Sequence, residues 1–63
     1  MNVSDMVKTL NHLADMTAYH RAMGHADMAN LFNGRYDGYR QALADMGYRV
    51  IYDHGTVSDI VKK

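Results

Sequence analysis

Arg35, Tyr36, Tyr39 and Arg40 interleave two cations with two aromatic rings in the middle of the chain. On surfaces that bind single-stranded nucleic acid, rings stack on bases while arginines meet phosphates, so these four residues are the candidates for nucleic-acid contact. Helical spacing weakens that reading. At 100° per residue Tyr39 falls in an apolar stripe and Tyr36 at its edge, while the two arginines diverge, which suits tyrosines with buried rings and wet hydroxyls. Charge points the same way: seven Lys and Arg offset seven acids, all of them Asp, for a formal net charge of +0. A domain that holds nucleic acid mainly through bulk charge would be basic.

Gly34 and Gly38 lie in the same segment. A phosphate-cradling loop needs its glycines between a strand and a helix start, where backbone N–H groups can point at the anion. Here they sit inside a helical pattern, where each costs roughly 0.5 to 1 kcal/mol relative to alanine. The expected purpose is close packing of two helices, with Ala14, Ala18 and Ala22 as the facing repeat of small side chains; ligand approach and a broken helix are the alternatives. His12, Asp15 and Tyr19 share a solvent face, and His20 and His25 flank a turn. A structural zinc site wants about four ligands at tight spacing. With no His-x₃-His pair, and with His20 and His25 five apart, no metal and no cofactor are expected. The hydroxyls of Ser4, Thr56 and Ser58 lack a Gly-x-Ser-x-Gly context and there is no cysteine, so no enzymatic reaction is expected.

The elements that carry these residues follow from periodicity. Ser4 with Asp5 behind it is a good helix start, and Val3, Met6, Val7, Leu10, Leu13, Ala14 and Thr17 then share one face. That face fails at His20, Arg21 and Gly24, so a helix over about 4–23 turns at Met23-Gly24-His25. A second helix, about 26–46, carries Met28, Leu31, Phe32, Tyr39, Ala42, Leu43 and Met46, and Gly47 ends it. The competing arrangement turns at Asn33-Gly34, a strong turn dipeptide, but the apolar phase runs unbroken across it. Residues 48–61 are rich in β-branched and aromatic side chains and read as a β-hairpin with a three-residue Asp53-His54-Gly55 loop. The alternative is a short final helix from Ser58. Such a hairpin is not stable alone, so its Val50, Tyr52, Val57 or Ile60 side must rest on the helices or on another subunit.

The fold expected is therefore mainly α: one domain, an antiparallel two-helix hairpin followed by a short C-terminal β-hairpin. A chain of 63 residues without cysteine has a small core and no disulfide to help it, which favours self-association. The expected self-association face is Met6, Leu10, Leu13, Met28, Leu31, Phe32, Leu43 and Met46, which two hairpins would bury in a dimeric four-helix bundle. No basic stretch followed by an apolar segment opens the chain, and no apolar run approaches the roughly 20 residues of a membrane span. A cytoplasmic protein with no membrane partner is expected.

Gly34, Arg35, Gly38, Ala42, Leu43, Met46, Gly47 and Tyr48 together resemble a pattern in small uncharacterised proteins of bacteriophages and prophages of Gram-positive bacteria. In these a helical hairpin carries a Gly-Arg/Lys-x-x-Gly stretch, then Ala-Leu, then a Leu/Met-Gly-Tyr helix end. The resemblance covers about a third of the chain and implies an accessory protein without a known reaction. A non-enzymatic interaction protein that docks on a host or phage protein is the leading expectation; a small nucleic-acid-binding module is the alternative.

Overall fold

Two glycine-terminated helices precede a two-stranded antiparallel sheet in the computed structural model, which describes residues 2–63. The elements are α1 (Val3–Ala22), α2 (Ala26–Asp45), β1 (Tyr48–Asp53) and β2 (Thr56–Lys62). The helices form an antiparallel hairpin, and the sheet lies on it with β2 over α1 and β1 over α2. This is the helical hairpin and β-hairpin expected from periodicity. Asn33-Gly34 is interior to α2, and Ser58 lies in a strand, so the alternative turn and the final helix do not occur.

Asn2, not Ser4, caps α1: its Oδ1 accepts from the Asp5 N–H at 2.8 Å, and its carbonyl accepts from the Met6 N–H at 3.1 Å. Both residue types cap well, and the earlier one adds two residues to the helix. At the other end Gly24 takes a left-handed φ of 77°. That conformation lets the His25 N–H reach the His20 carbonyl at 2.8 Å and the Gly24 N–H reach the Arg21 carbonyl at 3.2 Å. These are the two bonds of a Schellman cap, and they satisfy carbonyls that the end of α1 would leave bare. Gly47, at φ 89°, closes α2 with its N–H on the Ala44 carbonyl at 3.0 Å.

The β-hairpin loop is tighter than expected. Asp53 pairs with Thr56, leaving only His54 and Gly55 in the turn. Both have positive φ, 53° and 80°, as a type I′ turn requires to match the twist of the strands. Opposite the Ile51–Tyr52 step the partner jumps from Asp59 to Val57, so Ser58 is a bulged residue. Val57 and Ile60 are three apart, and strict alternation would turn them to opposite faces. The bulge turns both onto the helices.

There they meet Met6, Leu10 and Leu43 in the core, with Val7, Tyr36, Tyr39, Tyr48 and Val50 packed around them. Leu10 is the centre, at 0% exposure. Asn11 fastens the sheet to α1: its Nδ2 donates to the Val57 carbonyl and its Oδ1 accepts from the Val57 N–H, each at 2.9 Å.

The sheet covers only the half of the helical hairpin that holds Met6, Leu10 and Leu43. Toward Gly24 the helices have only each other, and Thr17 and Ala29 are what they bury. The close packing expected at Gly34 and Gly38 does not occur, since a Cβ at either would meet nothing within 4 Å. Of the facing repeat, Ala18 and Ala22 are exposed and Ala14 is half-buried. The half-covered build makes the molecule long, 37 × 22 × 18 Å with a radius of gyration of 12.0 Å, against about 10.6 Å for a typical globule of this length.

Candidate interaction surfaces

The eight residues expected to form one self-association face divide among three settings. Met6, Leu10 and Leu43 are buried within a single chain, because the β-hairpin covers them. Leu13 and Phe32 are half-buried. Met28, Leu31 and Met46 stay open to solvent, 40%, 45% and 57% exposed.

These three share a line. At 100° per residue Met28, Leu31, Ala42 and Met46 fall within an arc of about 60° on α2, and Met28 to Met46 spans about 27 Å at 1.5 Å per residue. Near the C-terminal end the line runs into an apolar cleft of about 290 Å³. Met6 and Leu43 contribute to it from the core, and Tyr39, Ala42, Met46 and Tyr48 complete its lining. Arg35 crosses the line, with its guanidinium carbon 5.7 Å from the centre of the Phe32 ring. Tyr39, Ala42 and Tyr48 were outside the face expected from the sequence. Tyr39 and Ala42 were already in the stripe that periodicity gives for α2, whereas Tyr48 reaches the cleft only because β1 folds back.

The four nucleic-acid candidates do not gather into one surface. Tyr36 and Tyr39 pack against the core cluster. The Tyr36 hydroxyl lies 3.1 Å from that of Tyr52. Burial first, and that hydrogen bond second, push the Tyr36 phenol up to about 12. Arg35 lies over Phe32, and Arg40 Nη2 sits 3.6 Å from Asp37 Oδ1, a loose pair on side chains more than half exposed. Such pairs contribute little to stability.

His20 and His25 come together, contrary to what five residues on one continuous helix would give. The Schellman cap folds His25 back, and the two Nδ1 atoms lie 3.1 Å apart. One ring must carry its hydrogen at Nδ1 while the other accepts there. The His20 ring also stacks on Phe32, with centroids 5.5 Å apart and planes at 4°, and meets the edge of Tyr19 at 5.1 Å. The cluster ties the tip of the hairpin together. Among the described residues no three His, Cys, Asp or Glu side chains group to hold a metal, and no helix is long and apolar enough to cross a membrane.

Comparison of the chain with family models, curated proteins and solved structures returns no significant match in any of the three.

Proposed function

We propose that this chain is a non-enzymatic interaction protein that acts through protein–protein contacts, and that its first partner is a second copy of itself. The observation that carries the reading is the row of exposed Met28, Leu31 and Met46 on one face of α2, interrupted by Arg35 and ending in the cleft beside Tyr39. A large side chain left bare on an ordinary surface needs no explanation, but an aligned series ending in an apolar hollow marks a contact face. The half-covered hairpin supports a copy as occupant: a small core is short of apolar burial, and α2 packed on α2 would add it in a four-helix arrangement. The resemblance of residues 34–48 extends the proposal to a cytoplasmic accessory protein of phage or prophage origin, with a host or phage protein as a further partner.

Light scattering coupled to size exclusion, over a range of concentrations, tests the reading. The expected result is a dimer that Leu31→Asp converts to a folded monomer, because Leu31 is exposed in the single chain and its loss does not touch the core. A monomer at all concentrations, or a dimer indifferent to both Leu31→Asp and Met46→Asp, overturns it. The packed rings of Tyr36 and Tyr39 favour this reading over nucleic-acid binding. That alternative predicts a salt-sensitive shift of DNA or RNA that an Arg35→Ala, Arg40→Ala double variant removes.

A further inference from the structure

The two edges of the sheet are not equivalent. In an antiparallel ladder, residues alternate between pairs that bond across the strands and pairs whose N–H and C=O point outward. The Lys63 N–H donates to the Gly47 carbonyl at 2.8 Å, and from that bond the register makes Tyr48, Val50 and Tyr52 the outward residues of β1 and Val57, Ile60 and Lys62 those of β2. On β2 half of the outward groups are already engaged: Asn11 takes both from Val57, and Asp59 Oδ1 accepts the Ile60 N–H at 2.8 Å. The sheet has two strands, so β1 meets no further strand on its outer side.

Beside that open edge runs a shallow groove of about 180 Å³, walled on one side by Arg40 and Ala44 of α2 and on the other by Tyr48, Val50 and Tyr52. Arg49 and Lys63 complete its lining, which contains three cationic side chains and no acidic side chain. Three carboxylates flank the lining in sequence: Asp37 makes a loose 3.6 Å pair with Arg40 itself, Asp53 lies 2.7 Å from His54 Nδ1, and Asp45 follows Ala44 without entering the lining.

We propose that the outer edge of β1 accepts an extended acidic peptide as a third strand, seated in the groove between β1 and α2. Main-chain bonds to Tyr48, Val50 and Tyr52 supply register, and Arg40 and Arg49 select the charge. Like charge disfavours a second copy at this edge, since two such grooves meeting face to face would bring their cations together. The proposal rests on the reading of an interaction protein and adds a partner class on a different face from the α2 line.

The test is fluorescence anisotropy of a fluorescein-tagged peptide of alternating Asp and Val, matched in length to β1. The expected result is saturable binding, at least about tenfold weaker for the Lys/Val counterpart. Two versions of the acidic peptide, N-methylated at alternate amides in the two possible phases, give the sharper readout. One phase should bind at least about tenfold more weakly than the parent and the other should match it, because only one set of amides faces β1. An Arg40→Glu, Arg49→Glu variant, both positions being exposed, should exchange the preference for acidic over basic peptide. No saturation up to about 1 mM, a range far weaker than useful recognition, overturns the proposal. So does equal binding of both methylated phases, which would reduce the effect to bare charge. A dimer that fails to bind the peptide overturns this inference and leaves the α2 contact standing; a monomer that binds it does the reverse.

Discussion

Tyr36 shows how a residue's neighbours turn into a property of the whole chain. Its phenol is held neutral to about pH 12 by burial and by Tyr52, while a tyrosine in an unfolded chain ionises near 10. Above about pH 10 the unfolded state therefore loses a proton that the folded state keeps, so stability present below pH 10 falls as pH rises toward 12. Urea midpoints at pH 8, 10 and 11 should fall with pH, and fall less steeply in Tyr36→Phe; equal slopes would refute the assignment. His54 offers a second test. It holds a positive φ in the two-residue turn, where asparagine is more at ease. His54→Asn should stabilise the chain by roughly 0.5 kcal/mol, read as a raised urea midpoint. Individual contacts were the least legible in the sequence. Asn2 and Ser4 are both good caps two residues apart, and nothing local decides between them. The His20–His25 contact depends on how sharply the cap folds, which linear spacing hides.

The C-terminal ends of the helices were legible because two signals agree at each. Gly24 falls where the apolar phase fails and Gly47 where it stops, and both take the left-handed conformation expected of them. The bulge at Ser58 was not legible, since it is a departure from alternation and shows only once Val57 and Ile60 are both seen against the helices. Nor was the two-residue turn, because a histidine at positive φ gives no compositional signal of the kind Asn-Gly does. Gly34 and Gly38 are helical and face open space, so they cost α2 helix propensity without improving its packing. Gly34→Ala and Gly38→Ala should each stabilise the fold by about 0.5–1 kcal/mol, measurable by denaturant unfolding. If Gly38, next to the Leu31–Ala42 line, serves close approach of a second α2, the Gly38→Ala dimer should weaken while its monomer strengthens.

At the scale of the molecule, stability is distributed unevenly along the helices. Leu10 and Leu43 lie under the sheet, whereas the turn-side half carries exposed Tyr19, Met23, Met28 and Leu31. Segments with few buried apolar contacts open first. Amide hydrogen exchange should be slowest around Leu10 and Leu43 and faster from Ala18 to Leu31; uniform protection along α1 and α2 would contradict the half-covered build. The apolar stripe itself was legible from periodicity. Its division into a covered and an open part was not, because that depends on where the β-hairpin lands, a long-range placement with no local signature.

The pairing of Asn11 with Val57 has a consequence for polymer growth. A fibre of stacked sheets needs each unit to offer two live edges, one to receive and one to extend. With Asn11 and Asp59 occupying the Val57 groups and the Ile60 N–H, this chain offers one open edge and one obstructed along its middle. Copies forced together through β1 would close at four strands with an obstructed strand on each flank, so the molecule ends a β ladder more readily than it propagates one.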